Sequence, residues 1–402
     1  MFESARRANE PASSPDTVPI RDIAVLFFSS RLALLLVGLL STWLMASGLS
    51  VQKGNLVQHQ PAARPLEIWS RWDSEWYLLI AEEGYAGERV TSRFEGLNVA
   101  YEPEATAGFL PLYPMLIRML SPLIGGVAAG VLISNVCLAG ALVLLYRLVC
   151  FESGGGAAGR DAGLAACAAL LVFPMSLFLS AVYAESLFLL LSLAVFELAR
   201  RGRFAAAGAA GAGAALTRPF GVLLVVPLLL EWWAARRAGR ATASGWIWAL
   251  QVPMALCGFM VFCARAFGDP MAFVTRQTRW RGAMSGPWRG FVRWWDSGPA
   301  AHGAHNSTLE MIIAVCFVAM LPFIFRRLRA PLAVYAAIGV LLPLCSTVWS
   351  FGRFALTVFP AFALIGLAWA QGRRRLPILY GFVAATLSGL MMALFANWWW
   401  AG

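Results

Sequence analysis

"GFLPLYPMLIRMLSPLIGG" (residues 108–126) is the stretch whose reading sets the topology of this chain. It is apolar, but Pro111, Pro114, Pro122 and Arg118 interrupt it, and it is short. These features favour a helix that lies in a membrane interface or re-enters, rather than one that spans. If it does not span, eleven apolar runs remain, at about 23–46, 127–149, 163–181, 186–199, 204–217, 220–234, 246–266, 309–325, 331–349, 354–370 and 377–397. Every arginine cluster between them then falls on the cytoplasmic side: "RRGR" (200–203), "RRAGR" (236–240), "RRLR" (326–329) and "GRRR" (372–375). If it does span, all these clusters move outside, against the positive-inside rule.

Composition agrees. Of 402 residues, 59% are hydrophobic and only 13% charged, and mean hydropathy is +0.68. That is about half the charged fraction of a soluble domain. The expected fold is all-α: a polytopic transmembrane helix bundle of about eleven spans with outer-face interfacial helices. The net charge of +11 is almost all arginine, and Lys53 is the only lysine. Arginines clustered between apolar runs speak for membrane topology and against nucleic-acid binding. Cys137, Cys150, Cys167, Cys257, Cys263, Cys316 and Cys345 all sit in or beside apolar runs, so no disulfide framework is expected.

Residues 1–22 read as a disordered cytoplasmic tail, and 23–402 as one transmembrane domain with outer loops at about 47–126 and 267–307. The first run starts too far along the chain for a cleaved signal and reads as a retained span. "GAAGAGAAL" (208–216) reads as close helix packing through small residues. No internal repeat stands out.

This layout puts Asp73, Glu75, Glu82, Glu83, Tyr183, Glu185, Arg218, Arg353 and all three histidines (His59, His302, His305) on the outer face. The cytoplasmic loops are short and basic, so chemistry or recognition is expected outside. In "RWDSEWYLLIAEEGY" (71–85), Trp72, Trp76 and Leu79 or Ile80 share a helical face beside Asp73. Asp73 reads either as an N-cap, with Glu75 and Glu82 solvated, or as a general base. A carboxylate partly desolvated among aromatics is a good proton acceptor for a hydroxyl. Glu185 in "FLSAVYAESLFLLL" (178–191) is either an exposed turn residue or a partner for an arginine. Arg218 in "ALTRPFGVLLVVPLLLE" (215–231) and Arg353 in "SFGRFALTVFPAF" (350–362) either snorkel or hold a phosphate. "AFGDPMAFVTRQTRWRG" (266–282) carries Arg276, Gln277, Arg279, Trp280 and Arg281, with Trp288, Arg293, Trp294 and Trp295 following. It reads either as an interfacial helix or as a grip for an anionic lipid headgroup. There is no His/Cys metal spacing, no nucleotide-binding glycine loop and no nucleophile elbow.

Taken together these motifs resemble the family of second mannosyltransferases of glycosylphosphatidylinositol-anchor assembly and its bacterial relatives, which have the GT-C fold. The matching pieces are "WDSEWYLLIAEEGY", "FLPLYPMLIRML", "YAESLFLLL", "TRPFGVLL", "FGDPMAFVTRQTRW" and "SFGRFALTVFP", in the family's order from about 69 to 362. The resemblance implies a polyprenyl-phosphate-sugar donor, most simply the mannose form, and transfer to an acceptor hydroxyl on the outer face with inversion. It carries the catalytic role to Asp73. Glu75, Glu185, Arg218, Gln277, Arg279, Trp280 and Arg353 become substrate-binding candidates. Phe354 departs from the tyrosine often found after the arginine.

No cofactor is expected, since a lipid monophosphate needs less neutralisation than a nucleotide diphosphate; a divalent metal is not predicted. The acceptor is left as a lipid, polysaccharide or protein, and the donor sugar as mannose, glucose or arabinose. The arginine-for-lysine bias suggests a GC-rich bacterial genome and so the inner (plasma) membrane, with the N-terminus cytoplasmic. "NST" (306–308) reads as a chance match to a glycosylation acceptor. The competing function is a lipid-phosphate transporter or flippase without transferase activity. That class more often shows paired broken helices or an inverted repeat.

Overall fold

A computed structural model describes residues 18–45, 65–85 and 103–402. Most of the expected tail, Lys53, His59 and much of the first outer loop lie outside the described residues.

The described chain is a bundle of α-helices with short 3-10 segments. Each of the eleven expected runs contains a helix, though not over its whole length. In chain order the α-helices are α1 (Ile20–Met45), α2 (Ser74–Glu83), α3 (Leu112–Ile124), α4 (Gly126–Glu152), α5 (Gly156–Val172), α6 (Glu185–Arg200), α7 (Phe204–Ala215) and α8 (Val225–Arg237). There follow α9 (Gln251–Phe267), α10 (Ala272–Arg281), α11 (Arg289–Asp296), α12 (Thr308–Arg327), α13 (Ala330–Leu344), α14 (Phe351–Ala355), α15 (Phe359–Ala370) and α16 (Arg375–Ala396). Six segments are long and apolar enough to cross a membrane: α1, α4, α12, α16, and α8 and α9 with their 3-10 lead-ins from Pro219 and Ala243. The chain is a polytopic helical membrane protein.

The stretch that set the topology is α3, 13 residues long. Like α7, α13 and α15, it is apolar but shorter than a single span. Tyr113, Pro114 and Ile117 are buried against the bundle, while Met119 and Leu123 are exposed. That amphipathic division suits an interfacial helix.

Two corrections apply to the expected runs. The run at 163–181 becomes a helix that starts earlier and ends at Val172, with 173–184 forming turns and a 3-10 segment. The run at 354–370 is broken at 356–358, and its first residues continue a short helix that holds Arg353. That residue sits on the separate five-residue α14, and α15 starts at Phe359. In both places the chain leaves regular helix where polar side chains must converge.

Ion pairs fix one end of the bundle. Arg160 meets Asp22 at 2.5 Å, Glu197 gathers Arg147, Arg200 and Arg201, and Arg329 bridges Glu152 and Glu231. These join the start of α1, the end of α4, the start of α5, the end of α6, the middle of α8 and the α12–α13 turn. Arg200 and Arg201 of the cluster at 200–203 and Arg329 of the cluster at 326–329 thus share this end. Close packing runs through small residues. A Cβ at Gly366 of α15 would lie 2.2 Å from the Ala162 carbonyl oxygen of α5, and one at Gly208 of α7 would lie 2.1 Å from the Trp248 carbonyl oxygen. Only glycine permits backbones this close.

Candidate active site

The opposite end holds a cavity of about 790 Å³, lined by Asp73, Arg218, Gln277, Arg279, Trp280, Arg281 and Arg353, with Trp72, Trp76, Trp349 and Trp400 among the aromatic walls. Asp73 occupies the N-cap position of α2, but its side chain makes no capping bond. Its Oδ2 instead accepts from Arg353 Nη1 at 2.7 Å. The Asp73 backbone N–H donates to the Tyr183 hydroxyl at 3.2 Å, and that hydroxyl donates to the Arg71 carbonyl at 3.0 Å. A buried tyrosine thus fixes the backbone on both sides of Trp72. Burial first, then the nearby Asp73 carboxylate, pushes the Tyr183 hydroxyl well above its ordinary pKa, so it stays a neutral donor.

Arg353 reaches a second carboxylate. Its Nε and Nη2 both lie 3.0 Å from Glu185 Oε1, and Arg218 Nη2 donates to the same oxygen at 3.0 Å. Glu185 is fully buried and Arg353 is 8% exposed, whereas Asp73 is 28% exposed. The result is a chain Asp73–Arg353–Glu185–Arg218 that runs from the cavity into the protein and back. Burial alone would lower the Arg353 pKa, but Glu185 and Asp73 hold it well above its ordinary value. Its guanidinium carbon also lies 4.7 Å from the Tyr183 ring centre and 5.0 Å from that of Phe178. The site therefore holds a permanently charged, geometrically fixed cation beside Asp73.

Two buried polar atoms of this chain have no hydrogen bond: Glu185 Oε2 and Arg218 Nη1. Unpaired buried groups are costly and concentrate where function requires them. Arg218 lines the cavity, so its spare donor is available to an anion there.

The fold brings most of the candidate residues together and leaves two apart. Asp73, Arg218, Gln277, Arg279, Trp280 and Arg353 all line one cavity. Gln277 Nε2 donates to the Gly108 carbonyl at 3.2 Å, and Trp280 packs 5.8 Å from Phe109, so these two join α10 to the segment before α3. Glu185 does not line the cavity; it lies behind Arg353 and Arg218 and orients both. Glu75 does not line it either, and its charge acts on Arg71. On α2 it is two positions past Asp73, a spacing that turns it to another face.

Arg281 was present in the sequence motif but not singled out. It lines the cavity, donates from Nη1 to the Trp349 carbonyl at 2.7 Å, and lies 4.7 Å from the Phe354 ring centre. Arg218 lies 4.8 Å from the same ring, so Phe354 contacts two guanidiniums. A tyrosine there is not needed for that contact. Burial first, then Arg353 and Arg218, lowers the Arg281 pKa to about 9. Glu310 was missed. It is buried, and Gly352 N–H donates to its Oε2 at 2.5 Å, one residue before Arg353. "STLE" (307–310) has the pattern of a capping box, and Ser307 Oγ does accept from Glu310 N–H at 3.3 Å. The glutamate side chain is diverted to Gly352, which local sequence does not reveal.

A family model described as Mannosyltransferase (PIG-V) matches residues 26–226, half of the chain. The stretch contains Asp73, Glu185 and Arg218. The chain is also similar to GPI alpha-1,6-mannosyltransferase 2 of Rattus norvegicus, 35% identical over 170 residues covering 40% of this chain and 31% of the relative. The protein of the same name from Mus musculus is 32% identical over 198 residues, covering 47% of this chain and 36% of the relative. The matched stretch thus spans about a third of these relatives' length. With three of the four network residues inside the matched half, and the fourth brought to them by the fold, the chain belongs to the mannosyltransferase (PIG-V) family.

Proposed function

We propose that this protein transfers a mannosyl residue from a polyprenyl-phosphate donor to an acceptor hydroxyl. The observation that carries the reading is the chain Asp73–Arg353–Glu185–Arg218 at one wall of a single large cavity. Asp73 takes the proton from the acceptor hydroxyl as its oxygen attacks the anomeric carbon. The bond to the donor phosphate oxygen breaks, and the lipid monophosphate leaves. With a β-linked donor, direct displacement gives inversion to an α-linkage. Asp73 Oδ2 is held by Arg353, and Oδ1 makes no hydrogen bond among the described residues, so one oxygen is oriented and the other is available as base.

The developing phosphate charge meets the arginines at the cavity wall, above all Arg218 with its spare Nη1. Arg279 and Arg281 add positive charge on the α10 side. Neutralisation by guanidiniums supports a reaction without a required divalent metal.

The cavity is proposed to open at the outer face of a bacterial plasma membrane, with the N-terminus cytoplasmic. The support is the segregation of arginine clusters to the other end of the bundle. The acceptor is a lipid, polysaccharide or protein. The test is transfer of radiolabel from polyprenyl-phosphate mannose in membranes containing wild type or Asp73→Asn. Label that reaches a lipid- or polymer-linked product only with wild type supports the reading; lipid movement that survives Asp73→Asn points to a transporter instead.

A further inference from the structure

We infer that the segment from Ala396 to Gly402 is a clamp that positions Asp73 and Arg353 against each other. Among the described residues, three non-glycine positions have a left-handed backbone: Trp72 at φ 58°, Ser350 at φ 60° and Trp398 at φ 64°. Such conformations are strained for these side chains and persist only where the surroundings enforce them. Trp72 directly precedes Asp73. Ser350 is the N-cap of α14, which carries Arg353. Trp398 lies in the segment that touches both.

The contacts are specific. Arg71 Nε donates to the Ala396 carbonyl at 3.3 Å, and its guanidinium carbon lies 4.7 Å from the Trp398 ring centre. Trp72 Nε1 donates to the Trp399 carbonyl at 3.2 Å, and the Trp72 ring meets that of Trp400 edge-on at 5.3 Å. On the other side, Ser350 Oγ donates to the Gly402 carbonyl at 3.0 Å, and the Trp349 and Trp400 rings lie 6.0 Å apart. His302 Nε2 sits 2.6 Å from the Trp400 carbonyl oxygen and ties in the long loop. A Cβ at Gly402 would lie 3.0 Å from Arg353 Cδ.

One short segment therefore bonds to both strained turns, and through them it sets the separation of two side chains that belong to different elements. The residues 396–402 are positioning residues; only Trp400 also lines the cavity. Their role presupposes the transferase reading of Asp73 and Arg353 only for its effect on rate, not for the clamp itself.

The test is amide hydrogen exchange, read with transfer kinetics, on wild type, a chain lacking 398–402, and full-length Trp400→Ala and Trp400→Phe. In the truncated chain and Trp400→Ala, exchange at 70–74 and 349–354 should rise about tenfold while that of α4 and α5 stays unchanged. Transfer should fall about a hundredfold, in kcat, with donor KM within about threefold. Trp400→Phe should recover most of both. Unchanged exchange at the two turns, or a loss confined to KM, overturns the clamp. If truncation loosens α4 and α5 as well, Trp400→Ala decides by the same criteria. If wild type itself transfers nothing, the assigned reaction fails, and exchange still decides the clamp.

Discussion

Arg353 Nη1 lies 2.7 Å from Asp73 Oδ2, joining residues 280 positions apart in the chain. The arginine is buried and braced from behind by Glu185, so it does not move to suit the aspartate; the aspartate is held to suit it. This relationship gives Asp73 one oriented oxygen and one available oxygen. Asp73→Asn should lower kcat roughly 10²–10⁴-fold. It should leave the melting temperature within a few degrees, because the position is partly exposed. Loss of folded protein in place of loss of rate would make Asp73 a structural residue.

Glu185 carries the opposite expectation. Replacing it with alanine leaves Arg353 and Arg218 buried without their shared carboxylate. Breaking a buried pair this way costs about 3–5 kcal/mol. Thermal unfolding in detergent checks it. A variant as stable as wild type would mean that water or another group can replace Glu185.

Phe354 touches Arg218 and Arg281 at once. Phe354→Leu removes both contacts at a cost of about 1 kcal/mol or more. The expected readout is a raised donor KM. Phe354→Tyr keeps the ring and should transfer like wild type; a marked gain with tyrosine would show that a hydroxyl was wanted there.

His305 makes an acid-sensitive joint. Its Nδ1 pairs with Thr347 at 2.9 Å and its Nε2 with Arg293 at 3.1 Å. Burial first, then Arg293 and Arg281, lowers its pKa to about 4. The folded state thus binds this proton less readily than the unfolded state, so stability rises with pH between about 4 and the ordinary histidine value near 6.5. Melting temperature should fall as pH is lowered through that window, and less so in His305→Asn. An equal fall in both would place the acid sensitivity elsewhere.

On the proposed reaction, transfer should proceed fully in EDTA, since Arg218, Arg279, Arg281 and Arg353 line the cavity. Loss of activity that manganese or magnesium restores would overturn this.

Much was legible in the sequence, and for a physical reason. Apolar run length and arginine placement follow from the cost of putting backbone and charge in lipid, so the polytopic helical bundle could be read from residue type alone. Asp73, Arg218 and Arg353 stood out because charges beside apolar runs demand a reason. Pairing could not be read this way. Whether Glu185 meets solvent, substrate or two arginines depends on which helix ends converge, and local pattern is silent on that. The same holds for the Glu310 side chain, which meets Gly352 N–H, and for Arg281, which meets Phe354. Glu75 shows the limit from the other side: an acidic residue two positions from Asp73 is close in sequence, yet it does not line the cavity. Residue chemistry determined that this chain crosses a membrane and keeps its charges at the ends of apolar helices; only the tertiary packing of distant turns decided which charges meet, because contact between them is set by loop ends that the helices bring together.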